Sequence, residues 1–117
     1  MFIRYKQSYK KIAMGLISYM PKEKEIKKLQ ETIDRYETDD RYQLYLWKED
    51  DDIIGVLGLF VDEDTTAELC HLSVNPSYRQ EGIGRKMIAA LQEIVPGELR
   101  ANEDTIEFFE ACMQEMR

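Results

Sequence analysis

At Tyr42 the hydrophobic period of the chain changes from that of helices to that of strands, and this switch constrains the fold more than any other feature. Tyr42–Lys48, Ile53–Val61 and Thr66–Val74 are dense in aromatic and β-branched residues, as strands are. The breaks between them are short and acidic: Glu49-Asp50-Asp51-Asp52, then Asp62-Glu63-Asp64. Short polar turns between such segments predict a three-stranded antiparallel meander. Neither break has the alternating oxygen ligands, glycine and distant glutamate of a calcium loop, so the acids read as solubilising turns and no metal is expected.

Helical periodicity flanks the meander. Phe2–Gln7 alternates as a short strand, and Ser8 is placed to cap a helix with the stripe Tyr9, Ile12, Ala13, Leu16, Ile17 and Met20. Pro21 stops it, since proline has no amide to donate. A second helix, from about Lys22 to Tyr36, carries Ile26, Leu29, Ile33 and Tyr36, with interleaved Lys and Glu forming a solvated face. After the meander, Met87, Ile88, Leu91, Ile94 and Val95 mark a third helix that Pro96-Gly97 ends. Glu98–Ala101 suits a short strand, and a last helix from about Asp104 presents Ile106, Phe109, Met113 and Met116. The predicted order is β-α-α-β-β-β-α-β-α, an α/β (α+β) architecture in which helices bracket one mixed, mostly antiparallel sheet.

Length and charge bound what such a chain does. Its 117 residues are enough for one core, so residues 1–117 are expected to form a single domain. No run approaches the roughly 20 apolar residues of a membrane span. The amino terminus lacks the pattern of a secretory signal. Two cysteines, Cys70 and Cys112, make no disulfide framework and read as reduced thiols of a cytoplasmic protein. A formal charge of −7 disfavours nucleic acid and is compatible with a cationic substrate.

The segment richest in chemistry is Asn75-Pro76-Ser77-Tyr78-Arg79-Gln80-Glu81-Gly82-Ile83-Gly84-Arg85-Lys86, between a strand and an amphipathic helix. Gly82 and Gly84 let backbone amides approach a ligand closely. The first helical amides lack internal partners and lie at the positive end of the dipole, which suits a pyrophosphate. Arg79, Arg85 and Lys86 add three cations to an otherwise acidic chain. The spacing is neither a P-loop nor a dinucleotide fingerprint. The plain alternative is a glycine-softened turn before an ordinary helix.

Arg79-Gln80-Glu81-Gly82-Ile83-Gly84, preceded by Leu-Ser-Val-Asn-Pro, resembles the Arg/Gln-x-x-Gly-x-Gly/Ala signature of the GNAT superfamily of N-acetyltransferases. The order of elements, Gly55 after an Ile-Ile pair and Asn102 after the next strand extend the resemblance from Phe2 to Met113. It implies the GNAT fold, with acetyl-CoA as cosubstrate in a cleft where the strand before the signature splays from the next. Arg79, Gln80, Gly82, Ile83, Gly84 and Arg85 would then form the pyrophosphate loop. The backbone of Leu72, Ser73 and Val74 would pair with pantetheine, and one amide there would polarise the thioester carbonyl. Asn102 would hold the pantetheine arm, cap the last helix, or do both.

Acetyl transfer requires a neutral amine and hence a proton acceptor. Glu68, eleven residues before Arg79, stands where histone-type members of the superfamily carry a catalytic glutamate; the alternative is a solvated strand-end carboxylate. Strict alternation puts Glu68, Cys70, Leu72 and Val74 on one face and Leu69, His71 and Ser73 on the other, which argues against His71 as a partner. A Cys70 nucleophile is disfavoured beside a carboxylate. Two departures stand out. Phe109, in Phe108-Phe109-Glu110, occupies the position of the usual tyrosine acid, and the chain stops at Arg117 without the two further strands that usually wall the acceptor site. A second subunit completing that wall, as a homodimer, is one expectation. The function implied is transfer of acetyl from acetyl-CoA to a primary amine of a small molecule or a lysine side chain, by direct attack. The alternative is a catalytically weak CoA-binding regulatory module.

Overall fold

The computed structural model describes every residue except Asp64, Thr65, Gln80, Met116 and Arg117, and for Glu115 only the backbone. Five strands form one sheet in the order β1-β2-β3-β4-β5: Phe2–Arg4, Tyr42–Glu49, Asp52–Val61, Ala67–Val74 and Leu99–Ala101. The first four are antiparallel neighbours, and β5 runs parallel to β4. Four helices bracket it: α1 (Lys10–Ile17), α2 (Ile26–Thr38), α3 (Ile83–Ile94) and α4 (Ile106–Glu115). The predicted order and the meander are both present.

Two cores form, one on each face of the sheet. Ala13, Leu16 and Ile17 of α1 and Leu29, Ile33 and Tyr36 of α2 bury against Leu44, Leu46 and Val56. On the other face Ile83, Met87, Ile88 and Leu91 of α3 pack on Leu57, Leu69, Leu72 and Val74, with Cys112 of α4 alongside. Burying a large aliphatic side chain contributes about 1.5–3 kcal/mol, so these stripes hold the helices to the sheet.

Several local expectations are corrected. Strand β1 ends at Arg4, and a 3-10 turn at Gln7–Tyr9 precedes α1, so Ser8 does not cap it. Helix α1 stops at Ile17, before Pro21, and Ile12 leaves its stripe at 40% exposure. Helix α2 starts only at Ile26, itself 69% exposed, after a second 3-10 turn at Pro21–Glu23. Glu23, expected on the solvated face, is buried. Ile94, expected on the apolar stripe of α3, is exposed. Helix propensity alone does not set these ends; contact with the sheet does.

Candidate active site

The site begins with an irregularity in β4. Gly58 of β3 pairs with His71, but the next residue, Leu59, pairs with Leu69, so Cys70 is an extra residue in the ladder. Such a bulge shifts the alternation by one. Leu69 and Leu72, three positions apart, consequently face the same core against α3. The strict-alternation expectation is therefore wrong beyond Cys70: Glu68 and His71 line one pocket on the side of α2.

That pocket, of about 360 Å³, is walled by Glu68, Cys70 and His71 of β4, by Lys28 and Arg35 of α2, and by Glu23, Asn102 and Asp104 from the loops. Its deepest part is a buried polar network. The Tyr36 hydroxyl lies 2.5 Å from His71 Nδ1, and His71 Nε2 lies 3.1 Å from Glu23 Oε1. The Thr32 hydroxyl donates to Glu23 Oε2 at 2.8 Å. Burial pulls the Glu23 carboxyl upward, but the hydrogen bonds from His71 and Thr32 outweigh it and hold the pKa below its ordinary value. Burial, reinforced by Cys70, pushes the Tyr36 phenol well above its ordinary value, so it keeps its proton. An ionised Glu23 can only accept, which places a proton on Nε2, and Nδ1 is engaged by the Tyr36 hydroxyl. Both ring nitrogens are engaged. His71 is a strut between β4, α2 and the turn before it, with no lone pair left for a substrate.

Gly58 makes the strut possible. A Cβ there would collide with the Tyr36 hydroxyl, so this glycine opposite His71 is the seat of the phenol. Beside it, burial and the Glu68 charge push the Cys70 thiol up to about 11, which leaves it protonated and a poor nucleophile. The Glu68 carboxylate makes no hydrogen bond or ion pair among the described residues, although it lines the pocket.

Strand β5 follows β4 only from Ala67↔Leu99 to Leu69↔Ala101. The Leu69 carbonyl then accepts from the Thr105 hydroxyl at 2.8 Å and, at 3.4 Å, from the Asn102 amide, which turns the chain away into α4. Beyond this point Leu72, Ser73 and Val74 pair only with β3, so their other backbone edge faces a splay. Ser73 Oγ, in a residue 4% exposed, is buried without a partner among the described residues. Asn102 Oδ1 accepts from the amides of Asp104 and Thr105 at 2.9 and 3.0 Å, so the side chain shapes the turn into α4. Thr105, 1% exposed, is a structural pin that sequence reading missed; its only signal was a hydroxyl three residues past Asn102.

A second cavity, of about 620 Å³, opens at the far end of β4 between α3 and α4. Val74, Arg79, Gly82, Ile83, Gly84 and Arg85 line it, together with Phe108 and Cys112. Gly82 precedes α3 with φ +77°, a left-handed conformation that a Cβ disfavours. A Cβ on Gly84 would lie 2.5 Å from the Phe108 ring, so this glycine permits α4 to close over the start of α3. The first amides of α3 have no intrahelical acceptor, and Arg85 lines the cavity beside them. Arg79 Nε donates to the Val74 carbonyl at 3.1 Å, while its guanidinium lies 5.6 Å from the Tyr19 ring. Lys86 is not part of this group: it points to Glu49 at 3.6 Å. Phe109 packs half-buried on the α3 core and leaves the cavity wall to Phe108. Gln80 lies outside the described residues.

A glycine-opened helix start beside a splayed strand pair is the geometry the sequence signature implied, and residues 10–113 match the acetyltransferase (GNAT) family. The chain belongs to this family. It is 53% identical, over 96% of its own length and 94% of the other, to a protein named as an uncharacterised N-acetyltransferase in the lysA 3′ region of Bacillus methanolicus. Among solved structures it resembles the aminoglycoside N-acetyltransferase AAC(6′)-Iy in complex with CoA, with TM-score 0.75 and 15% identity over 99% of this chain and 84% of that one. A GNAT acetyltransferase from Elizabethkingia anophelis with acetyl-CoA bound gives TM-score 0.62 and 24% identity over 80% and 55%. These likenesses establish the GNAT fold. Among the described residues no group of three or more His, Cys, Asp or Glu side chains is placed to hold a metal ion, and no helix is long and apolar enough to cross a membrane.

Proposed function

We propose that the protein transfers acetyl from acetyl-CoA to a primary amine by direct attack in a ternary complex, with Glu68 as the base. One observation carries this reading: the β4–β5 pairing ends at Leu69, between a cavity sized for a nucleotide and a pocket containing an unpaired Glu68 carboxylate. The cavity residues fit CoA. Amides of Gly82, Gly84 and Arg85 suit the pyrophosphate, to which the sequence signature would add Gln80, and the edge of Leu72–Val74 beyond the β5 pairing suits the pantetheine amides, which Asn102 would also steady.

In the reaction, Glu68 takes a proton from the ammonium, and the neutral nitrogen attacks the thioester carbonyl carbon. A backbone N–H of β4 stabilises the resulting oxyanion. The C–S bond breaks, the nitrogen gives its second proton to water as the N-substituted acetamide forms, and the CoA thiolate takes a proton from solvent, because Phe109 offers none. A thiolate with a pKa near 8.5 leaves without a general acid, so a phenylalanine slows this step and does not prevent it. A protonated Cys70 speaks against an acetyl-cysteine route.

The family match over residues 10–113 supports one acetyltransferase domain, and a sequence with only two cysteines, too few for a disulfide framework, favours a cytoplasmic setting. The whole chain also resembles the small acetyltransferase of the riboflavin operon, a likeness that suggests context and names no acceptor. The short β5 edge supports a homodimer in which a second copy completes the acceptor wall. The test of function is acetyl-CoA turnover against a panel of amines, followed by thiol release. Release above the hydrolysis blank with at least one amine is expected. Tight CoA binding without any such release would instead establish the CoA-binding regulatory module.

A further inference from the structure

We infer that the acceptor is a small amine that also carries an anionic group, and that Arg35 recognises that anion. The inference rests on reading the pocket at Glu68 as the acceptor site. A chain of charge −7 suggests a polycationic acceptor, yet the pocket itself is of mixed sign. Glu23, Asp104 and Asn102 of its lining are already committed. Glu23 is held by His71 at 3.1 Å and Thr32 at 2.8 Å, and Asp104 pairs with Lys22 at 2.9 Å. Asn102 is occupied by the turn into α4 through its Oδ1.

The uncommitted charges are Glu68 on β4 and Arg35 and Lys28 on α2. Arg35 makes no ion pair among the described residues; its guanidinium is stacked 5.0 Å from the centroid of the Tyr42 ring, which lines the same pocket. A guanidinium held over a ring face, with no ion pair among the described residues, keeps N–H donors available for bidentate capture of a carboxylate or phosphate. Lys28 lies near enough to help hold the Glu23 carboxyl down but forms no ion pair with it, so its charge adds to the same rim. A polyamine entering this pocket would meet one unpaired carboxylate and two cations. A zwitterion satisfies both signs: ammonium toward Glu68, anion toward Arg35. A volume of about 360 Å³ suits a small molecule.

The test uses matched pairs that differ by the anion alone. Lysine against cadaverine and ornithine against putrescine probe a carboxylate, O-phosphoethanolamine against ethanolamine probes a phosphate, and spermidine represents a polycation. Each is titrated calorimetrically into the full chain, with and without saturating CoA, and assayed for acetyl transfer in parallel. At least one anion-bearing member is expected to bind about tenfold or more tightly than its partner and than spermidine. In Arg35→Met that preference is expected to fall to within about twofold, and Arg35→Lys to restore part of it. Equal binding within every pair, tighter binding of spermidine, no binding of any member, or a preference unchanged in Arg35→Met overturns the inference. Selective binding without thiol release supports it while refuting the catalytic reading, so the two fail separately.

Discussion

The cavity at the start of α3 and the pocket behind the β4 bulge are built on different principles. The first is made chiefly of backbone: a left-handed Gly82, the first amides of α3, which lack intrahelical acceptors, and the edge of Leu72–Val74 beyond the β5 pairing. The second is made of side chains drawn from distant parts of the chain, and it rests on the Glu23–His71–Tyr36 strut. On the proposed reading, the backbone site takes the pyrophosphate and pantetheine of CoA, and the side-chain pocket takes the acceptor. The two halves should therefore break differently.

The largest effect is expected on the backbone side. Gly82→Val forces a β-branched residue to φ +77°, at a cost of about 1–3 kcal/mol. CoA affinity by calorimetry should fall roughly 10- to 100-fold, and the same strain should lower the melting temperature by several degrees; unchanged affinity would remove the cavity from CoA binding. Next is Gly58→Ala, where the new methyl collides with the Tyr36 hydroxyl. Overpacking of this kind should destabilise the fold by about 1–3 kcal/mol in denaturant titration. The double variant with Tyr36→Phe should recover part of that loss.

A smaller effect concerns acid. The folded Glu23 pKa lies below its ordinary value of 4.5, so the carboxylate stabilises the fold fully above that value. That contribution is lost as pH falls through the lowered pKa. Thermal melts of Glu23→Gln and the parent chain should differ most near neutrality and converge as pH falls below the lowered Glu23 pKa. A constant difference down to pH 3 would assign the loss to packing. Smallest is Cys70→Ala, which should retain acetyl transfer within about twofold, since a thiol pushed up to about 11 takes no part in transfer.

The same division explains what was legible beforehand. Period and punctuation identified the meander and the element order, and Gly82-Ile83-Gly84 identified the cavity, because backbone sites leave glycines behind them. The bulge at Cys70 left no mark. Ala67-Glu68-Leu69-Cys70-His71-Leu72 reads as clean alternation, and the slip that turns His71 toward Glu68 depends on Gly58 and Tyr36, both distant in sequence. Glu23 looked like one of many surface acids because its partners, Thr32 and His71, are brought to it only by the fold. Lys86 beside the glycines misled for the same reason, since its partner is Glu49. Local chemistry is readable from neighbours, whereas tertiary chemistry is not.

The most direct measurement is the pH dependence of kcat for Glu68→Gln with the best amine, at saturating acetyl-CoA. A base lost from the reaction should lower kcat by roughly 10²–10⁴ near neutral pH, with part of the rate recovered as pH rises toward the amine's own pKa. CoA affinity should stay within about twofold, because Glu68 does not line the CoA cavity. A kcat within about twofold of the parent enzyme across the whole range would contradict Glu68 as the proton acceptor.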